Sequence, residues 1–189
     1  VQNAVPPGLY HLTVTVRDVI SGRVGTAKGE VRVEQYRNDR LQISDLMLAD
    51  RVRETVQDVR FRRGGLEVTP KPDRNYTAPQ NLIFYYEVYN LQTDEFGQTR
   101  YRVDYRIAAE EGKLSGVRVL RALGRLLGMV EKSIVTISYE RTGSESDEHN
   151  YLEIDPGESK RGRYELTVTV TDLNSQQTTE KDITFLIGE

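Results

Sequence analysis

Two stretches of this 189-residue chain alternate apolar and polar residues in the same phase. In the first, Tyr10, Leu12, Val14 and Val16 alternate with His11, Thr13, Thr15 and Arg17. In the second, Tyr164, Leu166, Val168 and Val170 alternate with Glu165, Thr167, Thr169 and Thr171. A period of two sends every other side chain to one face, so each stretch predicts a strand with one buried and one solvated side. Outward threonines suit that role, being β-branched and tolerant of water. Asp18 to Gly22 and Asp172 to Ser175 then supply Asx and glycine turn chemistry. Return strands end at Val31 and Val33 in one copy, and at Phe185 and Ile187 in the other. Both stretches therefore predict β-hairpins.

The hairpins are an internal repeat. PPGLYHLTVTVRDVISGRVGTAKGEVRV aligns without gaps on KRGRYELTVTVTDLNSQQTTEKDITFLI, at an offset of 154 residues that carries Gly8 onto Gly162. The interval is far longer than a solenoid repeat and fits duplication of a domain-sized unit. Between the copies, further strands are expected over Leu41 to Ala49 (broken at Asp45), Asn81 to Leu91, Arg100 to Ala108, Ser133 to Tyr139 and Tyr151 to Ile154. Val59 to Phe61 and Leu66 to Thr69 flank Gly64-Gly65 and predict a tight hairpin. Pro70, Pro72 and Pro79 mark a loop. One segment changes period: Val117, Leu120, Leu123, Leu127 and Val130 follow the three-and-four spacing of an amphipathic helix over 117–130. Gly124 and Gly128 each cost such a helix about 1 kcal/mol relative to alanine. A strand over Val117 to Leu120 is the competing reading, and a helix here would plug one open end of a sandwich.

Composition narrows the functions. Lys and Arg number 26 against 29 Asp and Glu, a net charge of −3 that lacks the basic footprint of a general nucleic-acid binder. No run approaches the ~18 apolar residues of a membrane helix, and VQNAVPPG does not read as a signal peptide. The absence of Cys excludes disulfides, thiol nucleophiles and thiolate metal sites. The two His are His11, placed outward by alternation, and His149, the one base available to a nucleophile–His–acid arrangement. Neither a Gly-x-Ser-x-Gly elbow nor a phosphate-binding glycine loop is present. The acidic run Ser144 to Asn150, with Glu153 and Asp155, offers hard oxygens that suit Ca²⁺, but without EF-hand spacing; it reads as a solvated loop. The pairs Glu110-Glu111 and Asp94-Glu95 read as hydrated neighbours, not as glycosidase acids. The five arginines from Arg51 to Arg63 are interleaved with Asp50, Glu54 and Asp58 and read as surface. Asn75-Tyr76-Thr77 matches a glycosylation acceptor. No catalytic, cofactor or metal residues are assigned, and no cofactor is expected. Phe84, Tyr85, Tyr86, Tyr89, Tyr101, Tyr105 and Tyr139 fall on expected strands, where they either fill a core or form a ring platform for glycan or protein.

The pattern Gly-x-Tyr-x-Leu-x-Val-x-Val-x-Asp is typical of late strands in immunoglobulin-like sandwiches, where a tyrosine hydroxyl can anchor the neighbouring corner. Together with LQISDLMLAD and NLIFYYEVYNL, the hairpin strings resemble the C-terminal β-sandwich region of bacterial GWxTD-domain proteins. The naming motif is absent, since the chain has no Trp. The resemblance implies an extracytoplasmic location in the periplasm or cell envelope, and sandwich modules following a motif region that lies elsewhere. The expected architecture is mainly β: residues 1–36 as the closing hairpin of an upstream sandwich, and 37–189 as an immunoglobulin-like antiparallel β-sandwich with a helix near 117–130. The expected function is non-catalytic: spacing, docking or assembly with protein partners or neighbouring domains, without nucleic acid or membrane insertion. A carbohydrate-binding or hydrolase-accessory module using strand tyrosines is the alternative.

Overall fold

The period-two stretches form the longest ladders in the computed structural model, which describes residues 5–36, 39–77, 80–110, 134–156 and 159–188. The chain is mainly β and divides into two units, residues 1–37 and 38–189. In the first, β1 (Gly8–Arg17) pairs antiparallel with β2 (Val24–Val33), from Gly8 opposite Val33 to Arg17 opposite Val24. The turn is closed by Asp18, whose N–H reaches the carbonyl of Arg23 at 2.9 Å and whose side chain accepts the N–H of Ile20 and the hydroxyl of Ser21. Gly22 ends it at φ +70°, a left-handed position that glycine enters without steric cost.

The second unit contains β3 (Gln42–Ile43), β4 (Met47–Arg53), β5 (Arg62–Arg63), β6 (Leu66–Pro70), β7 (Asn75–Thr77) and β8 (Leu82–Tyr89). It continues with β9 (Thr99–Ala109), β10 (Ile134–Gly143), β11 (Glu148–Ile154), β12 (Gly162–Asp172) and β13 (Thr178–Gly188). One sheet has the order β10-β9-β12-β13-β7, and the other β11-β8-β4-β6-β5 with β3 also on β8. All pairs are antiparallel except β13 with β7. Alternation decides which side chains go inward. Leu82, Phe84, Tyr86 and Val88 of β8 share one buried cluster with Tyr101, Val103 and Tyr105 of β9 and Leu166, Val168 and Val170 of β12. Ile83 and Tyr85 join a smaller cluster with Ala49 and Val68. Burying each of these large apolar side chains contributes on the order of 1.5–3 kcal/mol.

The repeat is geometric as well as sequential. Gly162 pairs with Ile187 and Leu166 with Ile183, the same register that sets Gly8 on Val33 and Leu12 on Gly29. The turn recurs bond for bond: Asp172 N–H to Gln177 O at 2.9 Å, and Gln176 N–H to Asp172 O at 2.8 Å, with Gln176 at φ +61° in place of Gly22. Tyr10 donates its hydroxyl to Pro6 O at 2.7 Å, and Tyr164 to Lys160 O at 2.6 Å. Burial separates the copies. Leu166, Val168 and Val170 are 0% exposed, whereas Leu12, Val14 and Val16 are 51%, 47% and 66% exposed.

Several expectations change. Val59–Phe61 is a 3₁₀ turn, because Asp58 caps it by accepting the N–H of Arg60; the strand before Gly64-Gly65 is the two-residue β5. The proline-marked loop contains β7, held parallel to β13 through Asn75 to Thr77. β10 and β11 run longer than their alternation indicates. The second unit has eleven strands among the described residues. The segment assigned to a helix at 117–130, or to a strand over Val117 to Leu120, lies outside the described residues. Among those, the 3₁₀ turn is the only helical element.

Candidate functional site

The densest group of polar side chains is built on β8 and β11. Tyr85, Glu87 and Tyr89 are two residues apart and share a face of β8, and β11 sets His149 opposite Glu87. Glu87 accepts the Tyr85 hydroxyl at 2.7 Å and the Tyr89 hydroxyl at 2.6 Å. The Tyr85 oxygen lies 2.8 Å from His149 Nδ1, which is 3.7 Å from the nearer Glu87 oxygen. A phenol that donates to a carboxylate receives from its other neighbour, so Nδ1–H of His149 donates to Tyr85. The His149 ring stacks on Tyr85 with centroids 6.3 Å apart and occupies the space above Gly64, where a Cβ would approach Cδ2 and Nε2 to 2.7 Å. Burial, and after it the Glu87 carboxylate, push the Tyr85 phenol well above the usual tyrosine range. Tyr85 therefore stays protonated: it is a hydrogen-bond bridge, not an activated nucleophile or base. The group ties β11 to β8 and to the turn after β5.

A second polar group lies inside the unit. The Tyr86 and Tyr105 hydroxyls meet at 2.6 Å, and Tyr101 donates to Asn150 Oδ1 at 3.1 Å. Burial drives all three phenols upward. Asn150 Nδ2 and the Thr99 hydroxyl are buried without a hydrogen-bond partner among the described residues. Glu148 is raised above the ordinary glutamate range by burial, with Arg141 pulling weakly the other way.

The remaining candidates are scattered. His11 is exposed and 3.4 Å from Glu30. Asp147 accepts Asn90 N–H and Glu153 accepts Asn81 Nδ2, at opposite ends of β8, and Glu148 is half-buried. Among the described residues, no three His, Asp or Glu side chains are grouped as a metal site. Asp94 caps the β8–β9 turn by accepting the N–H groups of Phe96 and Gln98. Glu110 lies 3.6 Å from Arg163; Glu111 lies outside the described residues. Arg53 approaches Gln57 and Glu67, Arg60 pairs with Asp58 at 2.6 Å, and Arg62 donates to Gly64 O. Asn75 and Thr77 flank Tyr76, whose buried hydroxyl reaches Ala49 O and Ile83 O. Of the seven strand aromatics, Phe84, Tyr85, Tyr86, Tyr101 and Tyr105 are buried; Tyr89 is half-buried and Tyr139 exposed.

Two groups were missed from the sequence. Glu67, 4% exposed, accepts the N–H groups of Gln57 and Asp58. The Tyr85–Glu87–Tyr89–His149 network had a readable sign in Tyr-x-Glu-x-Tyr, which places three polar tips on one strand face.

Comparison with protein-family models gives no match, and comparison with curated proteins gives none. No described helix is long and apolar enough to cross a membrane.

Proposed function

We propose that this chain is a structural and interaction segment of a larger bacterial extracytoplasmic protein, built from immunoglobulin-like β-sandwich modules in tandem. The second unit is one such module, and its work is spacing, docking or assembly, not catalysis. The observation that carries the reading is the repeated hairpin, whose two copies share register, turn bonds and tyrosine anchor. Duplicated modules of one design are how chains set distances between binding parts. The chemistry of the polar groups supports the non-catalytic part: the buried phenols are held protonated, and Asp147 and Glu153 are bonded at opposite ends of β8. The resemblance to GWxTD-domain proteins supplies the location and the bacterial origin.

The alternative, a glycan-binding module, relied on strand tyrosines, and five of the seven aromatics proposed for it are buried. Glycan arrays and capture from envelope extracts test the choice. The module reading expects blank arrays and either a captured protein or a rigid monomeric spacer in scattering. A glycan signal abolished by Tyr139→Ala overturns it.

A further inference from the structure

We infer that the apolar face of β1–β2 is half of a second hydrophobic core, whose other half is a sheet supplied by polypeptide preceding Val1. This rests on the tandem-module reading and specifies its partner. The hairpin is two-sided. Tyr10, Leu12, Val14 and Val16 share a face with Gly25, Ala27, Gly29 and Val31, a surface with no charged side chain. The opposite face carries His11, Arg17, Lys28, Glu30 and Arg32, with Leu9 and Val24 as its apolar exceptions. A lone two-stranded hairpin is marginal in water, so a face of this kind needs cover.

The covered version of the same surface is in the second unit. There Leu166, Val168 and Val170 lie against Phe84, Tyr86 and Val88 of the facing sheet in one core cluster. The loop after β8 completes the contact, because Gln92 N–H donates to Asp172 Oδ2 at 2.9 Å. Asp18 makes the equivalent bonds to its own turn, yet it is exposed, and the counterpart of the Gln92 bond is missing among the described residues. The occupant therefore brings a strand of buried aromatic and aliphatic residues, followed by a loop that donates an N–H to Asp18. It also differs from the β8 sheet in one respect. Where β13 has Ile183, Lys181 and Thr179, β2 has Gly29, Ala27 and Gly25, so the facing strand carries bulkier side chains over β2.

The test compares the 189-residue chain with the natural polypeptide extended upstream by at least the length from Gln42 to Asp172. Hydrogen exchange reads the β1–β2 amides in both. The extension is expected to slow them by about 100-fold or more, as docking into a cooperative core requires. Val14→Asp abolishes that gain and leaves the melting of the second unit unchanged. Gly29→Val gives opposite results in the two contexts. In the shorter chain nothing lies within 4 Å of a Cβ at Gly29, so protection holds or rises; in the longer one the added bulk removes protection. Equal protection in both polypeptides overturns the inference, as does tolerance of Gly29→Val in both. So does a natural chain that starts at Val1. A concentration-dependent dimer of the shorter chain that Val14→Asp dissolves makes a second copy the occupant and also overturns it. A natural chain that starts at Val1 overturns the tandem-module reading as well; the other outcomes leave the glycan and envelope experiments untouched, so the two readings fail separately.

Discussion

Glu67 and Glu148 are both drawn inward, and their surroundings shift their titration in opposite directions. At Glu67 the N–H groups of Asp58 and then Gln57 hold the carboxyl below its ordinary range. A folded pKa below the unfolded one contributes stability above the usual glutamate range, and loses it as pH falls through the folded value. Glu67→Gln is expected to lower Tm at pH 7, with the gap closing below about pH 4. At Glu148 burial raises the pKa, so its favourable contribution is present below the unfolded value and disappears as pH rises through the folded one. Glu148→Gln is expected to raise Tm at pH 7, and this gap too closes on acidification. Thermal unfolding between pH 7 and pH 3.5 checks both signs. Gly64 lies under the His149 ring at φ +55°, so Gly64→Ala meets a clash and an unfavourable backbone together. Its expected cost is about 1–3 kcal/mol in denaturant unfolding. These positions were hard to read in advance because each depends on a partner far along the chain. His149 was visible as the one candidate base, but its neighbours come from β8 and the β5–β6 turn.

Strands with a clean period of two and a covered face, β9 and β12, could be read almost to their ends; β8 was legible instead as a nearly continuous apolar run, and β13 as a return strand ending at Phe185 and Ile187. Legibility fails where pairing, not pattern, makes the element. β7 is three residues among prolines and exists because Leu186, Ile187 and Gly188 lie beside it. Tyr76 fastens it, since its hydroxyl reaches Ala49 O at 3.1 Å and Ile83 O at 3.0 Å, beside the register shift in β4. Burial pushes that phenol up to about 12. Tyr76→Phe leaves those two carbonyls without their shared donor and is expected to cost about 1–3 kcal/mol by chemical denaturation. Val59–Phe61 has the apolar content of a strand, but the Asp58 cap diverts it into a turn. The two hairpins allow a direct comparison of the same substitution in different surroundings. Leu166→Ala empties a fully buried position and is expected to cost about 2–5 kcal/mol, whereas Leu12→Ala in the 189-residue chain leaves the main unfolding transition unmoved.

Across the whole molecule, the division into residues 1–37 and 38–189 predicts uneven resistance to opening. In the 189-residue chain, limited proteolysis is expected to cut within β1–β2 well before the second unit is lost, because among the described residues only the latter has an apolar cluster joining two sheets. A single transition that protects both units equally contradicts this. The offset of 154 residues announced the domain-scale repeat, while the contribution of each sheet to the core required long-range pairing that no local pattern encodes. The place of β13 between β12 and β7 also sets a timetable. Phe185 and Ile187 belong to the core and are synthesised after every other described strand of the second unit, and β7 has no parallel neighbour until they arrive. A nascent chain therefore carries Phe84, Tyr76 and Tyr164 without the ring that Phe185 places against each of them. During that interval the β12 edge is open to any strand nearby, so prompt docking of β13 becomes a safeguard against aggregation.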